Sequence, residues 1–149
     1  MATEFKHIVR LIDRDLDGMK TLVEALSDIK GIGLRLADII SRKVGVSPYT
    51  RIGYLSSDKV EEIEKVVRNL NNYDLPNWLL NRRKDLENGE DKHLISSDID
   101  LQVKADIERE KSIWSWRGYR HAYGLKVRGQ RTRTTGRTGK TVGVSKKRR

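Results

Sequence analysis

The sequence predicts an all-α protein that ends in an extended basic tail. Segments of the first 116 residues place apolar side chains at the i, i+3, i+4 and i+7 spacing of an amphipathic helix. Residues 117–149, the basic tail, carry 12 basic residues and no acidic one, whereas the first 116 residues carry 19 basic and 21 acidic residues. The isolated apolar residues of the tail cannot bury enough surface to offset an ordering entropy of about 1–2 kcal/mol per residue. We therefore expect a helical body and a tail that becomes ordered on a partner.

The hydrophobic periodicity and the charge distribution divide the chain into four predicted segments. Residues 1–70 predict a helical body, in which a short strand or extended arm at 5–12 precedes a helix capped by Asp17 and stopped at Gly31. Further helices are expected at about 34–44 and after Ser56-Ser57. Residues 71–96, the insert, are predicted to be loop-like, with one short buried turn at 78–80. Residues 97–116 are predicted to form a long helix, and residues 117–149 are predicted to form the basic extension, with a short helix at about 116–123.

The long helix is expected to run to about Trp114. Its predicted inner face consists of Ile99, Val103, Ile107 and Trp114, because these residues recur at helical spacing. Charged residues between them suit an outer face in solvent. The sequence thus predicts that Trp114 packs on the body while Arg117, Arg120 and His121 point outward.

Composition excludes several classes of protein. The chain has no cysteine, so a disulfide-stapled module and a thiolate zinc site are both excluded. No apolar run approaches the 18 residues of a membrane span, and the N-terminus lacks the apolar region of a secretory signal. The three histidines lie far apart, without metal-ligand or catalytic spacing. We expect no enzyme activity, no cofactor, no metal and no membrane, and a polyanionic partner in the cytosol or nucleus.

The segment Lys30-Gly31-Ile32-Gly33 lies between two predicted helices. Glycines at this spacing are typical of a helix-hairpin-helix turn, in which the backbone approaches a phosphate and the N–H groups of the second helix face it. Lys30 and Arg35 would add positive charge. An ordinary glycine C-cap followed by a turn fits the same four residues. The sequence therefore leaves two roles open for this segment, packing within the fold and phosphate binding.

Residues 13–24 match the pattern of a calcium loop. Asp13, Asp15, Asp17, Gly18 and Glu24 stand at the required spacing. The pattern needs a helix on each side, however, and the preceding segment HIVRLI is short and β-like. A polar turn that caps the following helix is the favoured interpretation.

Aromatic and basic residues alternate densely from Trp114 to Tyr123, and Arg, Thr and Gly alternate after them. Aromatic rings stack on bases, arginine binds phosphate through two donors, and threonine hydroxyls bind phosphate or the 2′-OH. A solvated charge run or a nuclear-localisation patch is the simpler alternative. The alternation of Arg, Thr and Gly in the tail favours RNA binding over a simple charge run.

The segment RGYRHAYGLKVRGQRTRTTGRTGKTVGVSKK, residues 117–147, resembles the C-terminal signature of the small-subunit ribosomal protein thirteen family. The segments DLDG, IKGIG and SSDKVEEIEKV match the body of that family in the same order. PNWLLNRRKD, residues 76–85, is similar to the archaeal and eukaryotic branch. The resemblance covers nearly the whole chain.

The resemblance implies a helix-two-turns-helix body in the head of the small subunit, in the cytoplasm. It implies contacts with the 3′ domain of small-subunit rRNA, small-subunit protein nineteen, large-subunit protein five across the subunit bridge, and tRNA. It identifies an rRNA-binding set in the tail and a tip near tRNA. The rRNA set is Arg117, Gly118, Arg120, His121, Gly124, Arg128, Gly129, Gln130, Arg131, Thr132, Arg133, Thr134 and Arg137; Lys30, Gly31, Gly33 and Arg35 of the body join it from the glycine motif. The tip consists of Lys146, Lys147, Arg148 and Arg149.

Two other classes of protein remain as alternatives. A helix-hairpin-helix protein that binds DNA or chromatin would place its basic residues around the glycine turn, inside the folded body. A repair enzyme on the same scaffold would use an N-terminal proline or an activated lysine as nucleophile. The chain's two prolines are Pro48 and Pro76, so the sequence favours a structural RNA-binding protein.

Overall fold

The computed structural model describes residues 5–70, 73, 75–136, 139 and 143. The chain divides into two compact units at Leu101, Met1–Leu101 and Gln102–Arg149. The elements, in order, are β1 (Ile8–Leu11), β2 (Arg14–Asp17), α1 (Leu22–Ser27), α2 (Leu34–Lys43), α3 (Ser57–Arg68), α4 (Ser97–Ser112) and α5 (Trp116–Ala122). Single 3₁₀ turns occur at Ile52–Tyr54 and Asn77–Leu79. The four-part division of the sequence remains a prediction.

The prediction of an all-α fold is wrong in one respect, because residues 8–17 form an antiparallel hairpin. Strand β1 pairs with β2 from Ile8 opposite Asp17 to Leu11 opposite Arg14. Val9, Leu11 and Leu16 are buried on its inner side. The expected short strand is therefore present, but it has a partner strand that the sequence analysis assigned to a turn and a cap.

Helix α1 begins later than predicted. Asp17 belongs to β2, and Thr21 is the N-cap of α1. The Thr21 hydroxyl oxygen accepts from the Glu24 N–H, and the Glu24 carboxylate accepts from the Thr21 N–H, at 3.4 and 3.2 Å. This reciprocal pair is a capping box, which satisfies two N–H groups that the helix itself leaves free.

The core of the first unit lies between the hairpin and helices α1, α2 and α3. Its most deeply buried side chains are aliphatic and are contributed by every one of these elements. They include Leu11, Leu16, Leu22, Leu26, Ile29, Ile40, Ile52, Ile63 and Val67. Main-chain bonds tie the 3₁₀ turn to the start of α1, since the Leu22 N–H donates to the Thr50 carbonyl at 2.8 Å and the Ile52 N–H to the Lys20 carbonyl at 3.1 Å.

The insert follows α3 and carries no regular helix among its described residues beyond the 3₁₀ turn. Arg82 and Lys92 form an isolated antiparallel bridge. The expected turn at 78–80 exists, but Trp78 is 70% exposed, whereas Leu80 is buried. Ile95 returns to the core at the far end of the insert.

Helix α4 contradicts the predicted inner face. It ends at Ser112, and none of its residues is buried. Val103 is half exposed, and Trp114, beyond the helix end, is 83% exposed with a positive φ of 56°. The prediction that Trp114 packs inward is therefore wrong.

Among the described residues, no helix is both long enough and apolar enough to cross a membrane.

Candidate nucleic-acid interface

A tight corner between α4 and α5 begins the basic tail. The Ser115 hydroxyl accepts from the Gly118 N–H at 3.0 Å and lies 2.5 Å from the Glu110 carboxylate, to which it donates. A Cβ at Gly118 would lie 2.0 Å from the Glu110 carbonyl oxygen. Only glycine fits this buried position, so packing explains Gly118, and its predicted rRNA contact stays a prediction.

Helix α5 carries a row of aromatic rings on one face. Trp116 and Tyr119 stack with centroids 5.7 Å apart, and the Tyr119 and Tyr123 centroids lie 4.7 Å apart. All three side chains are exposed. The row stiffens α5, and it leaves ring surface open to solvent.

The predicted outward side of α5 is only partly correct. Arg117 is exposed, whereas Arg120 and His121 are half-buried. The Arg120 guanidinium lies 5.9 Å from the Trp116 ring centroid and donates to the Lys126 carbonyl at 3.0 and 2.9 Å. Arg120 therefore folds the start of the tail back on α5, in addition to any role with RNA.

Gly124 ends α5 with a left-handed turn. Its φ is 65°, its N–H donates to the His121 carbonyl at 3.1 Å, and the Leu125 N–H donates to the Arg120 carbonyl at 2.9 Å. These two bonds form a Schellman motif, which glycine favours because it has no Cβ. The capping turn explains the glycine at position 124, and its predicted rRNA contact stays a prediction.

Beyond the Schellman turn, the described tail contains no helix or strand. Arg128 and residues Gly129 to Thr134 are all exposed, and Gly129 and Gly136 have positive φ. The structure thus presents the arginines, glutamine and threonines of the predicted set to solvent on an irregular backbone. Arg137 and the tip Lys146 to Arg149 lie outside the described residues.

The glycine turn before α2 has two halves with different surroundings. Lys30 forms an ion pair with Asp100, and its carbonyl accepts from the Ser96 N–H at 2.8 Å. Gly31 has a φ of 98°, and a Cβ there would lie 2.7 Å from the Leu94 carbonyl oxygen. The first half of the turn is therefore occupied by packing against the insert and the start of α4.

The second half of the turn is open. Gly33 is the N-cap of α2, has no atom near the position of a Cβ, and is exposed, as is Arg35. The two halves of the predicted group Lys30, Gly31, Gly33 and Arg35 therefore have different surroundings. Gly33 and Arg35 are accessible to a ligand; Lys30 and Gly31 are engaged within the fold.

His93 locks the insert onto the glycine turn. Its Nε2 lies 3.0 Å from the Gly31 carbonyl oxygen, and its Nδ1 accepts from the Asn81 N–H at 3.4 Å. Partial burial lowers the pKa of His93, while the bond to Gly31 opposes that shift. The sequence analysis missed this role, since the contact joins residues 62 positions apart.

The calcium alternative finds no support in the described residues. Among them, no group of three or more His, Cys, Asp or Glu side chains is placed to hold a metal ion. Asp17 instead accepts from the Met19 N–H at 3.0 Å, and Glu24 is used by the capping box. The favoured interpretation of a polar turn is the better description, although it precedes the cap rather than forming it.

Comparison with known proteins identifies the family to which this chain is similar. The family model for ribosomal protein S13/S18 matches residues 10–138. The chain belongs to the ribosomal protein S13/S18 family. This family is structural and contains no enzyme function, so the chain is not an enzyme. The helix-hairpin-helix DNA-binding and repair alternatives are not favoured.

Relatives in the S13/S18 family match the chain over nearly its full length. A small ribosomal subunit protein uS13 from Staphylothermus marinus is 55% identical over 99% of this chain and 98% of its own. Its counterpart from Saccharolobus solfataricus is 52% identical over 99% and 89%, and that from Methanothermobacter thermautotrophicus is 46% identical over the full length of both. The body, the insert and the tail are therefore all shared with these relatives.

Proposed function

We propose that this chain is a structural component of the small ribosomal subunit, where it binds the 3′ domain of small-subunit rRNA. The observation that carries the proposal is the separation of charge: 12 basic residues and no acidic one in the tail, on a body with nearly balanced charge. The relatives named as small ribosomal subunit proteins support it, since they share the whole chain.

The basic tail would bind rRNA by neutralising phosphates. Arg128, Arg131 and Arg133 are exposed on a backbone with no regular structure, so the tail can follow an irregular RNA surface. Each guanidinium offers two parallel donors to a phosphate. Release of counterions from the RNA then supplies much of the binding free energy and makes it depend on salt.

The α4–α5 corner would set the direction in which the tail leaves the second unit. Ser115 and Gly118 hold α5 against the end of α4, and Gly124 turns the chain immediately afterwards. The exposed rings of Trp116, Tyr119 and Tyr123 offer surfaces on which a base can stack. The open half of the glycine turn, Gly33 and Arg35, would provide a phosphate contact from the body.

The finer assignments follow the family resemblance. The subunit head is the proposed location, with small-subunit protein nineteen and large-subunit protein five as protein partners. The tip Lys146 to Arg149 would approach tRNA in the decoding cleft. The proposed cellular location is the ribosome in the cytoplasm.

Sedimentation of the tagged chain tests the main proposal. Lysate is run through a sucrose gradient at high salt, with and without RNase or DNase. We expect the chain to migrate with the small subunit, to survive the salt wash and to be released by RNase. A soluble chain, or one released by DNase, would contradict the proposal.

A further inference from the structure

The insert carries a large exposed ring on the residue that follows Asn77, and Asn77 lines a polar cleft. Trp78 lies in the 3₁₀ turn Asn77–Leu79, and its side chain is 70% exposed. Its neighbours are anchored, since Leu79 packs against the core, Leu80 is buried, and the Asn77 amide is hydrogen-bonded. The indole is thus presented on a fixed backbone although nothing in the described residues covers it.

One carboxylate ties together a polar cleft that is lined in part by Asn77, the residue before Trp78. Asp91 accepts from the Asn77 side-chain amide and from the Lys84 N–H, both at 2.7 Å. The cleft measures about 640 Å³. We call it the insert cleft; its lining residues are Asn77, Asn81, Arg83, Lys84 and Asp91.

The far wall of the insert cleft is equally well fixed. The Asn81 side chain donates to the Leu94 carbonyl at 2.8 Å and accepts from the Leu94 N–H at 2.9 Å. This pair imitates a strand ladder and joins the two arms of the insert. The described part of the insert, which has one 3₁₀ turn and one isolated bridge, therefore presents its side chains from a framework of hydrogen bonds.

A second carboxylate of the insert, Asp85, is ion-paired internally and does not line the cleft. The buried Asp85 pairs with Arg82 at 3.1 Å and with Lys92 at 3.3 Å. The Arg82 hydrogen bond is the main reason that the pKa of Asp85 is lowered. Asp85 is thus a structural anion, charged and fully engaged inside the insert.

Two cations remain for a ligand. Neither Arg83 nor Lys84 pairs through its side chain with a carboxylate of the described residues, and both are exposed on the insert cleft. Glu87 and Glu90 lie in the turn beyond Asp85 and do not line the cleft. An arginine, a lysine and an uncovered indole are the donors and the stacking surface that an unpaired nucleotide requires.

We propose that Trp78 and the insert cleft bind an unpaired segment of small-subunit rRNA. One base stacks on the Trp78 indole, and the neighbouring phosphates bind Arg83 and Lys84. Its residues differ from those proposed to bind rRNA in the basic tail and in the glycine turn, and the inference rests on the proposed function of the chain as an rRNA-binding protein. The exposed side chains of Arg83 and Lys84 provide the positive charge that a polyanion requires.

Photo-crosslinking identifies what covers Trp78. Full-length chain with p-benzoylphenylalanine at position 78 is incorporated into small subunits and irradiated. We expect an adduct that RNase degrades. An adduct only with protein, or no adduct while the chain sediments with the small subunit, would overturn this inference alone. Absence of the unmodified chain from the subunit would overturn the proposed function and this inference with it.

Chemical probing of rRNA in the same subunits tests the stacking. For Trp78→Ala, we expect one or a few unpaired nucleotides to lose protection, since loss of one stacked base shifts binding of that nucleotide by about 5- to 150-fold. Trp78→Phe should restore protection, and the double variant Arg83→Gln, Lys84→Gln should expose the same nucleotides. Leu101→Ala and Lys104→Gln, which alter exposed residues of α4, serve as controls. Unchanged protection in Trp78→Ala would contradict the inference.

Discussion

Two glycines allow backbone segments of this protein to pack in direct contact, because a side chain at either position would clash with a neighbouring carbonyl oxygen. At Gly31 the chain adopts a φ of 98° directly against the insert, and at Gly118 α5 touches the end of α4. Sequence alone predicted a tight turn at Gly31 and an RNA contact at both glycines. It could not show that each glycine faces the backbone of a particular distant or neighbouring segment, because that depends on tertiary packing.

Alanine at Gly118 should open the α4–α5 corner. The new Cβ would lie 2.0 Å from the Glu110 carbonyl oxygen, so the helices must separate, at a cost of about 1–3 kcal/mol. Hydrogen exchange of the α5 amides should accelerate accordingly. Gly33→Ala is the matched control, since nothing surrounds its Cβ position, and equal exchange rates in the two variants would contradict the packing role.

Stability should decrease as the pH falls and His93 becomes protonated. The folded-state pKa of His93 is lowered by burial, so the unfolded chain binds its proton first. The His93 contribution is therefore complete above the unfolded pKa of about 6.5 and is lost as the pH falls below it.

The free energy of unfolding, measured from pH 7.5 to 5, should report this loss with a slope of at most about 1.4 kcal/mol per pH unit. His93→Gln should remove that component, while His7→Gln, at an exposed position, should retain it. Identical pH profiles for wild type and His93→Gln would exclude the effect.

At the scale of elements, helical periodicity located α2, α3 and α5 to within a few residues. The hairpin was missed because strands of four residues give too short a pattern, and Asp17 resembles a helix cap whether or not a strand precedes it. Helix α4 was placed correctly, but its inner face was not. Its apolar residues meet the spacing of a buried face, yet none is buried.

The capping box of α1 makes a prediction at this scale. Thr21→Ala removes the hydroxyl that accepts from the Glu24 N–H, and should lower the free energy of unfolding by about 1 kcal/mol. Ser56→Ala is the matched control, because Ser56 caps α3 without a side-chain hydrogen bond. Chemical denaturation of both variants measures the difference. Equal losses would show that the reciprocal bonds contribute nothing.

At the scale of the whole molecule, charge is divided between a nearly balanced body and a basic tail. The division was visible in the sequence because it follows from composition. The ordered structure of the insert could not be predicted from the sequence, because it is held by side-chain hydrogen bonds and ion pairs such as those of Asn81, Asp85 and Asp91. Such bonds have no periodic signature, so Trp78, Arg83 and Lys84 were overlooked as candidate ligands.

The salt dependence of rRNA binding tests the central claim most directly, that the tail binds rRNA through its charge. If about 8–10 phosphates are contacted, the slope of log K against log salt should be about −6 to −9 for the full-length chain. Replacing Arg128, Arg131, Arg133 and Arg137 by Gln should make the slope shallower by about 3, at about 0.7–0.9 per contact. The same number of replacements at exposed body cations Arg10, Arg14, Arg51 and Lys65 should leave it nearly unchanged. An unaltered slope in the tail variant, or an equal change in the body variant, would contradict the account.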